Sequence, residues 1–315
     1  MIPENKLQEI RNFLKKSENP LFFYDDDCDG LCSYLLLRKY INNSKGVVVK
    51  APPELSIEFY RKVEENSPDL IVVLDKPKIS QDFIDKVNVP IILIDHHGPF
   101  PMQGIHYYNP LNYDENDSRP VTYWCYKISK TSLWIATVGC VSDNHTPDFI
   151  DEFIEKYPKV LDKVKEPLKI LYETNLGKLI KIMSFLLRGK TSEVYNNINI
   201  INKIEDPTEI IECETSRTKF LLKKFEKVNK IYNLVLEKAL SQVKTEKLFV
   251  FIYPSSKLSL SRDLANELLY KLPDKVILVA REKNDDIRLS MRSKNVNLQV
   301  LMEKALHDVE GYGGG

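Results

Sequence analysis

The sequence is poor in cysteine, has no excess charge of either sign and carries no long apolar run. Each absence closes off a class of protein. Five cysteines (Cys28, Cys32, Cys125, Cys140 and Cys213) are spread over 315 residues. Cys28 and Cys32 are close together, but nothing downstream matches them, which argues against a disulfide framework or a zinc ribbon. Lys and Arg together number 45, and so do Asp and Glu, giving a formal net charge of zero. A chain that wraps duplex DNA without regard to sequence carries a basic excess, so any contact with nucleic acid is expected in a local groove. No window approaches about 18 consecutive apolar residues, so no membrane span or membrane partner is expected. The opening MIPENKLQEIRNFLKKSENP is polar and amphipathic, with no apolar signal core, which points to the cytoplasm. There is no internal repeat, no Gly/Ser linker, no Gly-x-x-x-x-Gly-Lys-Ser/Thr, and no strand followed by Gly-x-Gly-x-x-Gly. P-loop and dinucleotide-binding readings therefore fail.

What is present is an ordinary globular balance, 43% hydrophobic and 29% charged, at a length that suits about two domains. The first half alternates short apolar runs with amphipathic stretches. Leu21–Tyr24, Gly46–Val49, Leu70–Leu74 and Pro90–Ile94 read as strands. Leu31–Ile41 and Ser56–Glu65 read as helices between them. This pattern predicts βαβ units and a mainly parallel sheet covered on both faces. Leu133–Val141 fits a strand or a buried helix equally well. From about Asp148 to Gln242 the pattern turns helical, with a long one-faced helix over Phe220–Leu240. Leu248–Ile252 and Lys275–Val279, flanking a helix at Arg262–Tyr270, predict a second, smaller α/β domain from about residue 246.

Four clusters of acidic and histidine residues follow apolar segments, and in open parallel sheets ligands bind at the carboxyl ends of strands. Asp25-Asp26-Asp27-Cys28-Asp29-Gly30 comes directly after the first strand. Asp25 and Asp27 share one side of an extended segment, and two hard oxygen ligands so placed suit Mg²⁺ or Mn²⁺. The plain alternative is a solvated acidic turn that caps the next helix. Asp75 ends the third strand and alone reads as a cap. Asp95-His96-His97 follows the fourth strand. An acid beside two imidazoles can orient one ring while the other binds a metal; the alternative is a pair of structural histidines. Asp143, with His145 nearby, closes the Leu133–Val141 segment and reads alone as a cap, with His145 a bystander. Tyr107-Tyr108 and Tyr123-Trp124 fit base stacking or, more simply, the core.

Taken together, the order Asp-x-Asp-x-Asp-Gly, strand-end Asp, Asp-His-His, Asp resembles the DHH phosphoesterase superfamily. The Asp25–Gly30 segment resembles its RecJ-like exonuclease branch. Branches that act on pyrophosphate or short oligonucleotides carry a histidine four residues before the first Asp, where this chain has Leu21. Arg288-Leu289-Ser290-Met291-Arg292-Ser293, followed by a helix and Gly311-Tyr312-Gly313-Gly314-Gly315, is similar to the DHH-associated C-terminal domain. The histidine and closing strand expected after the glycines are missing, so this element is expected to be cut short or lost. The resemblance implies a mainly parallel α/β DHH domain over residues 1–187, a helical connector over 188–245, and a smaller C-terminal α/β substrate domain over 246–315. The metal cleft would lie between the two domains.

The resemblance also implies two metal ions, Mn²⁺ with Mg²⁺ as the alternative. Asp25 and Asp75 would hold one ion, and Asp27, Asp75, His96 and Asp143 the other. His97 would touch the scissile phosphate, Asp95 would orient an imidazole, and Asp29 would support the site. Arg292, Ser290, Ser293, Gly313 and Gly314 would hold substrate, with Arg288 a weaker candidate. The implied activity is exonucleolytic release of nucleotides from single-stranded DNA or RNA by metal-dependent hydrolysis. Two alternatives stand beside it. One is hydrolysis of small phosphoesters such as short oligonucleotides, cyclic dinucleotides or a nucleoside bisphosphate. The other is a non-catalytic scaffold with replication or repair partners.

Overall fold

A computed structural model of the chain describes residues 1–41, 44–50, 54–254, 258–283 and 286–307. They form two compact units. The first holds residues 1–187 and 196–219; the second holds 188–195 and the described residues from 220 onward. The span from 188 to 245 is thus shared between the units.

In the first unit, helix α1 (Glu4–Lys16) leads into a sheet made from five short runs, all paired parallel. They are β1 (Pro20–Asp25), β2 (Lys45–Val49), β3 (Leu70–Leu74), β4 (Ile91–Ile94) and β5 (His106–Tyr108), in the order β2-β1-β3-β4-β5. The three central strands are buried along almost their whole length. They read as continuous apolar runs because both faces are covered. On one face Leu21, Phe23, Ile71, Val73, Ile91 and Leu93 pack with Leu55, Ile79 and Phe83. Phe23 meets Phe59 and Phe83 edge-on, with ring centroids 6.1 and 5.9 Å away. On the other face Tyr24 stacks on Tyr34 of helix α2 (Cys28–Ile41), 4.5 Å between centroids. Behind α2 lie α3 (Val121–Ser129) and α4 (Leu133–Ser142). All three helices are apolar on most sides, as befits helices buried between neighbours.

The strand order reverses about β1. The chain runs from β1 to β2 on one side, then crosses to β3 on the other. A reversal of this kind opens a crevice at the carboxyl ends of the two central strands, where Asp25 and Asp75 sit.

The structure settles some local expectations and changes others. Leu133–Val141 is a helix, so Asp143 follows a helix rather than a strand. With apolar residues all round, that segment carried no usable period. Helix α2 begins at Cys28, three residues earlier than its periodicity shows, so Asp29 and Gly30 lie within its first turn. The segment read as one helix over 56–65 is a 3-10 turn, Ile57–Phe59, followed by a helix over Tyr60–Asn66. Tyr107 and Tyr108 belong to the short edge strand β5, while Tyr123 and Trp124 are buried in α3, so the latter pair is core.

The second unit contains a three-stranded sheet. Strand β6 (Leu248–Tyr253) pairs parallel with β7 (Val276–Lys283), which pairs antiparallel with β8 (Asp286–Arg292). The crossover between β6 and β7 carries helix α5 (Ser261–Lys271). Among the described residues no helix is long and apolar enough to cross a membrane.

Candidate metal centre

The ends of the central strands are level. Tyr24 pairs with Leu74 and Leu74 with Ile94, so the residues that follow emerge side by side. Asp75 takes a left-handed backbone conformation (φ 58°). Asp tolerates this conformation better than most residues, and here it turns the chain sharply away from β3. The Asp75 N–H still donates to the Ile94 carbonyl at 3.0 Å, and the Asp95 N–H to the Tyr108 carbonyl at 3.2 Å. These bonds tie the turns to the sheet.

The acidic loop after β1 serves as both cap and cluster. Asp27 Oδ1 accepts the Gly30 N–H at 3.1 Å, capping α2. The close approach explains Gly30, since a Cβ there would lie 2.7 Å from the backbone N and O of Asp25. Ligand atoms of Asp25, Asp27 and Asp75 come within 4.8 Å of one another. The Lys76 ammonium, on the residue after Asp75, donates to Asp25 Oδ1 at 2.6 Å.

The two histidines divide the work. Asp95 is fully buried. It accepts from His97 through the ring, Nδ1 to Oδ1 at 2.8 Å, and through the backbone N–H, to Oδ2 at 3.1 Å. His96 turns the other way. Its Nδ1 faces the Ser118 carbonyl at 3.4 Å. Its Nε2 faces Asp75 Oδ1 and Asp143 Oδ2, each at 3.5 Å, and Asp29 Oδ2 at 3.9 Å. Two further groupings within 4.8 Å result: Asp75, His96 and His97; and Asp29, His96 and Asp143.

Asp29 also has a structural task. Its carboxylate accepts the N–H groups of Val121 at 2.9 Å and Thr122 at 2.7 Å, so it anchors the N-terminus of α3 from a distant point in the chain. Asp143 lies at the C-terminal end of α4. A carboxylate beside a helix C-terminus meets partial negative charge, so it is better suited to a cation than to a cap. His145 packs edge-on against Tyr123, 5.9 Å between centroids. Burial and the Arg119 charge lower its pKa.

The electrostatics show how much negative charge is gathered. Burial raises the Asp29 carboxyl to about 7, with the charge of Asp143 adding to it. Burial also raises Asp75, well above the usual carboxylate range, and the neighbouring Asp29 and Asp27 reinforce this. Burial pulls the His96 pKa down, but the approach of Asp75 and the charges of Asp29, Asp75 and Asp143 outweigh it and lift the ring to about 11. A proton on Nε2 thus does the work of a cation among these carboxylates. The group also fits a divalent ion. Asp75 Oδ1 is buried and has no hydrogen bond of good geometry. Orphaned acceptors in a protein interior are rare, and a mixed carboxylate and imidazole set suits Mn²⁺ or Mg²⁺.

The second unit carries the other residues singled out in the sequence. Ser290 and Arg292 share one face of β8. Arg292 Nε donates to Asn266 Oδ1 of α5 at 2.5 Å. Ser293 Oγ accepts the N–H groups of Asn295 and Val296, both at 3.2 Å. Arg288 is exposed. Gly313 and Gly314 lie outside the described residues.

Two residues at the site had no role in the sequence reading. Asn109 is fully buried. Its side-chain amide donates to the His97 carbonyl at 2.8 Å and to Asp95 Oδ2 at 3.4 Å, holding both members of the pair. Its only sequence signal is the Asn-Pro turn after an apolar run. Lys76 offered no signal, because its partner is 51 residues away.

Comparison with known proteins bears on the family and the fold. Residues 21–161 match the DHH family, N-terminal domain, and residues 249–315 match the DHHA1 domain. No curated protein matches by sequence. Among solved structures the chain is similar to RecJ in complex with Mn²⁺ from Thermus thermophilus. The TM-score is 0.67 at 15% identity, covering 98% of this chain and 50% of that one. It therefore spans about half the length of that protein. It is also similar to an exonuclease RecJ bound to manganese (TM-score 0.58, 12% identity, 100% of this chain and 88% of that one). A third likeness is to the DHH domain of a protein assigned to a family of ribosomal proteins (TM-score 0.67, 14% identity, 99% of this chain and 85% of that one).

Proposed function

Since this chain belongs to the DHH superfamily and has a RecJ-like fold, we propose that it is a divalent-metal-dependent phosphodiesterase that releases nucleotides from single-stranded DNA or RNA. The observation that carries the reading is Asp75. Its buried, unbonded Oδ1 faces His96 Nε2 at 3.5 Å, within a ring of carboxylates that needs a cation. Asp25, Asp27, Asp75, His96 and Asp143 are the residues that would hold Mn²⁺ or Mg²⁺, with Asp29 behind them. A bound ion supplies an acidified water and neutralises charge on a phosphate oxygen.

The chain's own groups do the rest. With Nδ1 bonded to Asp95, His97 presents Nε2 as its remaining ring nitrogen. Burial lowers the His97 pKa, but the hydrogen bond and charge of Asp95 outweigh it and the net shift is upward. That shift is in the direction that suits a group donating to a phosphate oxygen and protonating a departing one. Asn109 fixes this pair. Arg292, with a guanidinium that can take two phosphate oxygens at once, and the hydroxyls of Ser290 and Ser293 are the proposed substrate contacts.

The test uses 5′- and 3′-labelled single-stranded DNA and RNA of graded length, with and without Mn²⁺. Metal-dependent shortening that disappears in Asp75→Asn supports the reading and gives the polarity. Cleavage restricted to the shortest strands transfers the site to small phosphoesters. Absence of cleavage at every length, with metal bound, leaves a scaffold role.

A further inference from the structure

We infer that the Lys76 ammonium takes the place of one of the two cations, so that the chain holds a single divalent ion, at the end of the cluster formed by Asp75, His96 and Asp143. The inference rests on the metal-dependent reading above and narrows it: of the pair of ions that the resemblance implies one remains, and Asp25 and Asp27 face the ammonium and the chain instead of an ion. It starts from asymmetry within the cluster. At one end, Lys76 is 2% exposed, a burial that lysine rarely reaches without a counter-charge. Its Nζ lies 2.6 Å from Asp25 Oδ1, the length of a charge-assisted bond. Beside it, Asp27 Oδ1 is engaged by the Gly30 N–H at 3.1 Å. Acceptors at this end already have donors from the chain.

At the other end the balance is reversed. Asp75 Oδ1 is buried and lacks a hydrogen bond. His96 Nε2 stands between Asp75 and Asp143 at 3.5 Å from each. A divalent ion entering here meets an imidazole nitrogen, the unbonded Asp75 Oδ1 and the Asp143 carboxylate within reach of one another. An ion taking Asp25 would instead break the 2.6 Å bond to a buried ammonium and set two like charges beside each other. Removing one partner of a buried pair is strongly unfavourable. Lys76 comes directly after a ligand held in a left-handed turn, and its ammonium engages the carboxylate that the other ion would take.

The experiment counts metal. The full chain and Lys76→Met are dialysed against Mn²⁺, analysed for metal per chain, and examined by electron paramagnetic resonance. The full chain is expected to hold one Mn²⁺ with the six-line spectrum of an isolated ion. Lys76→Met is expected to hold two, with the broadened spectrum of a coupled pair. Two coupled ions in the unaltered chain overturn the inference, as does no ion, or a single ion in Lys76→Met. If Lys76→Met does not fold, Lys76→Gln takes its place, and the count in the unaltered chain stands alone as a test. Nucleotide release is followed in parallel. One bound ion without hydrolysis overturns the phosphodiesterase reading and leaves the inference standing; hydrolysis with two bound ions does the reverse.

Discussion

Asp95 shows how a single buried carboxylate sets the chemistry around it. Without solvent, its two oxygens are divided among His97 Nδ1, the His97 N–H and Asn109 Nδ2. The imidazole is thereby fixed in tautomer and in direction. Asn109 closes the arrangement by also holding the His97 carbonyl at 2.8 Å. Removing such a supporting partner costs about 10- to 100-fold in activity or metal affinity. Asn109→Ala is therefore expected to lower kcat by at least about 10-fold with near-native circular dichroism, read by the labelled-strand assay. An unchanged kcat would show that the Asp95–His97 pair stands without it. Asn109 and Lys76 illustrate what the sequence hides. Their partners are set by strand order and register, and neither residue type nor local spacing reveals which distant group it will meet.

At the scale of elements, the site depends on how closely α2 approaches the end of β1. Gly30 permits that approach, since any Cβ would sit 2.7 Å from the Asp25 backbone. Gly30→Ala forces the loop carrying Asp25 and Asp27 to move. It is expected to destabilise the fold by about 1–3 kcal/mol, measured by urea unfolding. Asp69 makes a second such junction. Its carboxylate accepts from the Ser17 hydroxyl and from the N–H groups of Glu18 and Asn19, tying the chain that enters β1 to the chain that enters β3. Burial pushes the Asp69 carboxyl up, but these hydrogen bonds outweigh it and the net shift is downward from 3.8. The folded pKa is the lower one. This contribution is therefore present above about pH 4 and lost as pH falls through the folded pKa. Asp69→Asn is expected to lower Tm at pH 7, with the difference from the unaltered chain shrinking below pH 4. A constant difference would mean that charge at Asp69 is not the cause.

The elements also show which parts of the fold were legible. The central strands were readable because burial on both faces leaves unbroken apolar runs, and their acidic C-terminal ends marked the site. Strand β5 was not readable, since three residues carry no period. Leu133–Val141 is apolar on every side, so only the packing of α2, α3 and α4 decides that it is a helix. That outcome brings Asp143 to the site from a helix end and not from a strand. The double role of Asp29, anchoring α3 while facing His96, follows from the same helix packing and has no local signal.

For the molecule as a whole, the first unit gathers Asp25, Asp27, Asp29, Asp75, Asp95 and Asp143 against Lys76, His96 and His97. An ion that binds only the folded state adds stability by mass action. At 100 times Kd this is about 2.7 kcal/mol, or roughly 5 °C in Tm for a chain of this size. Mn²⁺ is expected to raise the Tm of the unaltered chain by that order and to leave Asp75→Asn nearly unmoved. An equal rise in both proteins would assign the effect to binding elsewhere.

The most direct measurement is nucleotide release from labelled single strands by the unaltered chain and by Asp75→Asn, with Mn²⁺ present. Asparagine tolerates the left-handed backbone at this position, so the substitution tests the carboxylate rather than the turn. The expected result is metal-dependent shortening of the strand, reduced by at least about 10³-fold in the variant, which corresponds to the loss of about 4 kcal/mol of transition-state stabilisation. Equal activity in the two proteins would contradict the placement of the chemistry at Asp75.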